Sequence, residues 1–150
     1  GAGPKNIISS MKKIQSQITS GPSSISQWAA LAALSTSEDF IKNNKKVFKE
    51  RRDLIIKHLT KNGFFSICPP SGAFYLLVNI ERAINLKYQK TNLIETDSIF
   101  TELLLKNEGV AVVPGSAFGT PNHIRISFAT QNENIIKACQ KIISFVSSLE

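Results

Sequence analysis

The apolar residues of this chain change their period at Gly63, and that change restricts the fold more than any other feature. Before it the spacing is helical: Ile7, Ile8, Met11 and Ile14 share one side of a predicted first helix whose first turn suits Pro4. Thr19-Ser20-Gly21-Pro22 breaks that helix, with Ser20 as a cap and Pro22 opening a second helix through Leu34. Ser35/Glu38 and Thr36/Asp39 offer overlapping capping pairs for a third helix that ends at Asn62-Gly63. After Gly63, Phe64–Ile67, Phe74–Ile80, Val110–Val113 and Ile124–Phe128 read as strands bounded by proline and glycine. Two amphipathic helices interrupt them, Asp97 to Asn107 and Asn132 to Val146, the second capped by Thr130 with Glu133 three residues on. In that last helix Ile135, Cys139, Ile142/Ile143 and Val146 form one stripe. The order strand, strand, helix, strand, strand, helix predicts an α+β fold, a small helix-covered β-sheet preceded by helices. Residues 80–96, rich in Lys, Asn and Gln, are expected to be a surface excursion.

With 150 residues, 42% of them hydrophobic and 19% charged, the chain can build a core of its own. No run approaches the roughly 20 apolar residues of a membrane span, and no charged-then-apolar leader opens the chain. A soluble, cytoplasmic protein without a membrane partner is therefore expected. Cys68 and Cys139 match no zinc or redox spacing and read as free core thiols. The net charge of +7 is regional: residues 1–62 hold 11 Lys/Arg against four acids, and residues 63–150 hold seven of each sign. Most of the surplus runs from Lys42 to Lys61 along the third helix, interleaved with apolar pairs Phe40/Ile41, Val47/Phe48 and Leu54/Ile55 at seven-residue spacing. A solvated outer face explains this better than a phosphate-binding stripe, because no nucleic-acid motif accompanies it.

Arg125 stands out inside an apolar strand. Alternation puts Ile124, Ile126 and Phe128 on the face that the final helix covers, leaving His123, Arg125 and Ser127 on the other. A guanidinium held there could receive a carboxylate through two parallel charge-assisted bonds. On the residues alone, a solvated or internally paired arginine is the simpler alternative. Gly72-Ala73-Phe74-Tyr75 reads as ordinary sheet packing with a sharp start, and Val113-Pro114-Gly115-Ser116-Ala117-Phe118-Gly119 as a structural turn, since it lacks a nucleotide loop's lysine. Thr19 and Ser20 read as turn and cap residues. His58 and His123 have no partner at nucleophile or metal spacing, so neither a triad nor a metal cluster is expected.

Taken together, Met11–Gln27, Cys68–Tyr75, Gly109–Gly119 and His123–Phe128 resemble, in order, the C-terminal part of class I pyridoxal-phosphate-dependent aminotransferases, most closely the bacterial aspartate-type branch. The resemblance covers essentially all 150 residues and implies three parts. Residues 1–35 would end the large cofactor domain, 36–62 would be the linking helix, and 63–150 the small C-terminal domain. It makes Arg125 the clamp for the substrate α-carboxylate and Phe74 a wall of the substrate cavity, with Tyr75 alternating toward the core. Pro114 and Gly115 would shape the site without reacting. Thr19 and Ser20 would lie on a loop reaching into the neighbouring subunit's site, which implies a homodimer acting on an amino acid and a 2-oxo acid. Pyridoxal 5'-phosphate belongs to the complete enzyme, and the family places its Schiff-base lysine and phosphate cup upstream of Gly1. The resemblance therefore assigns no catalytic, cofactor-binding or metal residue here, expects no cofactor on this chain alone, and makes the chain inactive without the N-terminal half. Lys5 follows Gly1-Ala2-Gly3-Pro4 and heads a helix, matching the family's segment after the cofactor lysine, and Lys12 and Lys13 have ordinary exposed-helix surroundings. Two alternatives stay open: a noncatalytic interaction module that binds an acidic partner through its basic helix, and a carboxylate-binding domain that uses Arg125 without cofactor.

Overall fold

Helices form where the apolar period is helical. A computed structural model describes residues 1–150, with α1 at Lys5–Ile18, α2 at Ser24–Ser35 and α3 at Asp39–Leu59. The chain divides into two units, Gly1–Lys42 and Asn43–Glu150. In the first, Thr19 N–H and Ser20 N–H both donate to Gln15 O at 3.0 Å, and Ser20 has φ +60°. Ser20 therefore terminates α1 as a left-handed residue and does not cap α2, contrary to expectation. Pro22 lies two residues ahead of α2, whose N-cap Ser23 makes no side-chain capping bond. The expected pairs before α3 are also replaced: Ser35 and Thr36 donate back to Leu31 O and Ala32 O, and Ser37 Oγ accepts from Asp39 N–H at 3.0 Å. Adjacent hydroxyls can each serve the helix behind or the helix ahead, and here two serve the one behind. No residue of α1 or α2 is buried, and Ile25, Trp28 and Leu34 are nearly bare.

The second unit contains α3 from Asn43 onward and a four-stranded antiparallel sheet in the order β1-β2-β6-β5. Its strands are β1 (Ser66–Ile67), β2 (Tyr75–Asn79), β5 (Val113–Pro114) and β6 (His123–Ser127). The edge strands are shorter than their apolar runs predict. One face is covered: Leu76, Val78, Ile124 and Ile126 meet Ile55 and Leu59 of α3, Phe100 and Leu104 of α4 (Asp97–Glu108), and Ile135, Cys139, Ile142 and Phe145 of α5 (Asn132–Ser147) in one core. Each such burial is worth roughly 1.5–3 kcal/mol relative to exposure. Phe145 completes the α5 stripe while Ile143 is only partly buried. Thr96 Oγ1 caps α4 through Ile99 N–H at 3.3 Å, and Gly109 closes it at φ +67°. Thr130 does not cap α5; its Oγ1 accepts from Asn134 Nδ2 at 3.1 Å, and Gln131 occupies the cap without a side-chain bond.

Three expectations are corrected in this unit. Residues 80–96 are more than a surface excursion: Ile80, Ala83, Tyr88 and Ile94 are buried, and Tyr88 stacks on Phe145 at 4.9 Å. There β3 (Lys87–Tyr88) pairs with β4 (Asn92–Leu93), and reciprocal Lys87–Glu150 backbone bonds fasten the C-terminus. Cys68 is exposed and no core thiol, because it follows the two-residue β1 into the Pro69-Pro70 connection. Tyr75 faces away from the core. It pairs with Ser127 while its neighbour Leu76 pairs with buried Ile126, so the pleat sends Leu76 inward.

Candidate functional site

Arg125 lies near the middle of the sheet, with Leu77 opposite it on β2 and Val113 opposite it on β5. Period-two alternation anchors the strand through Ile124 and Ile126 and turns the arginine to the uncovered face. Two rings flank its guanidinium: Cζ is 4.3 Å from the Tyr75 ring centroid and 4.0 Å from that of Phe118. Both distances fall within cation–π range. Arg125 enters none of the chain's three ion pairs, which are Lys42–Glu38, Arg52–Asp53 and Lys90–Glu150. A cation–π contact uses the charge of the guanidinium and does not consume its N–H donors. A fork held this way suits a carboxylate, which takes two parallel bonds from it.

Phe118 reaches Arg125 from the turn Gly115–Phe118, which follows β5 and closes at Gly119 with φ +74°. Gly115 is required there sterically: a Cβ would stand 2.4 Å from Thr120 O and 2.7 Å from His123 Cβ. At the next residue, Ser116 N–H donates to Asp97 Oδ2 at 2.8 Å, and Asp97 is only 2% exposed. Sequence reasoning missed Tyr75, Phe118 and Asp97 as parts of this cluster. An aromatic residue in a glycine-bounded loop was a usable signal for Phe118. Asp97 read only as the first residue of a helix.

Phe74, singled out as a cavity wall, is 41% exposed at the head of β2. Its ring lies 4.4 Å from Tyr75 and 6.3 Å from Phe48, so aromatic surface runs from α3 to the arginine. Lys45, Lys49 and Arg52 border the groove beside Phe74, and Arg52 Nη1 donates to Pro70 O at 3.0 Å, holding the loop that precedes it. Thr19 and Ser20 are exposed at the turn after α1 in the first unit. Every lysine of the chain is exposed, so none occupies the desolvated pocket that a Schiff-base amine needs. No lysine of this chain thus has the surroundings that the family's cofactor chemistry requires. Burial pushes the Cys139 thiol up to about 11, which keeps it protonated and inert.

The family model "Aminotransferase class I and II" matches residues 1–142. A probable aspartate/prephenate aminotransferase of Rhizobium leguminosarum is 46% identical over 145 residues, covering 96% of this chain and 36% of that protein. The aspartate/prephenate aminotransferase of Cereibacter sphaeroides is 41% identical, covering 99% and 37% respectively. Among solved structures, the aspartate aminotransferase of Rhizobium meliloti superposes with TM-score 0.93 at 38% identity, covering 99% of this chain and 37% of its own. The maleate-bound aspartate aminotransferase of Thermus thermophilus gives 0.83 at 35% identity, over 96% and 35%. The chain thus spans a little over a third of the length of these relatives.

Proposed function

The chain belongs to the class I and II aminotransferase family, and we propose that it supplies the C-terminal, carboxylate-binding part of an aspartate-type enzyme. That enzyme would move an amino group between an amino acid and a 2-oxo acid. The observation that carries this reading is Arg125: a strand-held guanidinium on the uncovered face of the sheet, within cation–π reach of two rings and in no ion pair. In the complete enzyme it would hold the substrate α-carboxylate bidentately and fix the α-carbon for reaction. Phe74 would wall the cavity against water, as apolar bulk can.

In the same reading residues 1–35 complete the large domain, 36–62 link it to the small domain, and 63–150 form the small domain. Thr19 and Ser20 would line the neighbouring subunit's site in a cytoplasmic homodimer. The pyridoxal phosphate that the family implies supplies the amino-carrying chemistry in the complete enzyme, and no residue here is assigned to it. The bare apolar side chains of α1 and α2, Ile14, Trp28 and Leu34 among them, support an N-terminal partner, since monomers rarely leave such clusters uncovered. In this reading the chain alone turns over no substrate.

The test mixes this chain with a separately produced N-terminal portion of the Rhizobium leguminosarum relative, then adds pyridoxal phosphate, aspartate and 2-oxoglutarate. Turnover in the mixture and not in either part supports the proposal. Turnover by the chain alone overturns it, and salt-sensitive binding to an acidic protein without turnover favours the noncatalytic module.

A further inference from the structure

Resting on that reading of Arg125, we infer that Asp97 is a positioning residue for the arginine, acting through the Gly115–Phe118 turn. The chain of contact is short. Asp97 Oδ2 accepts from Ser116 N–H at 2.8 Å, the turn ends two residues later at Phe118, and the Phe118 ring lies 4.0 Å from Arg125 Cζ. Phe118 is itself half exposed, so core packing does not hold its ring in place. Its position comes from the turn, and the turn is anchored where it begins: Gly115 O accepts from Thr120 N–H at 3.0 Å, and Ser116 N–H donates to the carboxylate.

A purely structural role leaves the carboxylate unexplained. Thr96 already caps α4, so Asp97 is not needed for that. An acid in a helix's first turn complements the helix dipole equally well when solvated, whereas burying a carboxylate is costly and an apolar residue of similar volume is often neutral or better for stability. What the buried carboxylate adds is a strong, directional acceptor aimed at one backbone N–H. That bond fixes the ring that packs on the guanidinium. Asp97 thus sets which way the arginine's donor edge points without touching a substrate.

The experiment follows the Arg125 Nε–H resonance of the 15N-labelled chain by NMR, assigned by its loss in Arg125→Lys. In the unaltered chain the flanking rings displace this signal upfield of the exposed arginines, and succinate titration moves it further. Asp97→Leu keeps the branched shape and removes the acceptor; Asp97→Ser, too short to reach Ser116, makes the same cut should the leucine variant not fold. Either variant returns the signal toward the exposed position and weakens succinate roughly two- to fivefold, the size of one lost ring contact to a guanidinium. Asp97→Asn retains an acceptor and restores both readouts. Phe118→Ala reproduces the loss, and adding Asp97→Leu to it has no further effect, as expected when two residues act through one contact. An unmoved Arg125 signal in the Asp97 variants, or additive losses with Phe118→Ala, overturns the inference. Unchanged succinate affinity in Arg125→Lys overturns instead the carboxylate reading, while the signal in the Asp97 variants still decides the tether.

Discussion

Gly115→Ala is expected to damage this fold more than its single methyl suggests. The added Cβ would lie 2.4 Å from Thr120 O, 2.7 Å from His123 Cβ and 2.9 Å from His123 O, all inside the 3.0 Å below which real Cβ atoms are essentially never found. Two of the three obstacles are backbone. One of them, His123, begins β6, which is paired on both sides and cannot step back without disturbing β2 or β5. Overpacking of this kind costs typically 1–3 kcal/mol, and with backbone on two sides about 3 kcal/mol is the appropriate end of that range. For a domain of this size, each kcal/mol lowers Tm by about 2–4 °C, so the variant should melt roughly 6–12 °C lower. Gly72→Ala is the internal control, because nothing lies within 4 Å of its added Cβ. It should leave Tm unchanged or raise it slightly through a less free unfolded chain. Thermal melts followed by circular dichroism compare the three proteins. A Gly115→Ala melt within a degree or two of the parent would refute the reasoning, since it would mean that the turn can slide without disturbing β6.

Phe145→Ala removes a fully buried ring that stacks on Tyr88 and meets Phe100 edge-on at 5.2 Å, so urea unfolding should show a loss of roughly 3–5 kcal/mol. Only Cys68 should react with a thiol reagent at pH 8 in the native chain, with Cys139 reacting after denaturation; equal rates would contradict the assigned burial. Because burial raises the Cys139 thiol from 9.0 to about 11, the unfolded chain loses that proton first as pH rises. This thiol's contribution to stability is therefore complete below pH 9 and is lost between about pH 9 and 11, which denaturant midpoints across that window will register. The exposed apolar surface of α1 and α2 should make the isolated chain self-associate, and Trp28→Lys on α2 should lower that association in sedimentation velocity at unchanged helix content.

The parts of the site legible in the sequence are those that local alternation controls. Ile124 and Ile126 bracket Arg125, and two apolar neighbours in a strand are enough to send the residue between them to the opposite face. Tyr75 toward the core follows only from the resemblance, which puts Phe74 on the cavity wall, and Phe74-Tyr75-Leu76-Leu77-Val78 has no strongly polar residue that would set the opposite phase of alternation. Apart from the β3–β4 pair, the order of helices and strands was readable for the same periodic reason, but the caps were not. Ser35, Thr36 and Ser37 are chemically equivalent candidates, and the backbone's path decides among them. The polar composition of residues 80–96 concealed four residues that the core buries. Asp97 and Ser116 are 19 positions apart, and no local pattern joins an acid in one element to an amide in a distant turn.

The most direct measurement is kcat/KM for aspartate in the enzyme reassembled from this chain and the relative's N-terminal portion, with Arg125 intact or changed to alanine. Removing one partner of a desolvated, hydrogen-bonded charge pair costs about 2–5 kcal/mol, so kcat/KM should fall roughly 30- to several-thousand-fold. A reassembled enzyme that turns over aspartate equally well without the guanidinium would contradict the role given to Arg125.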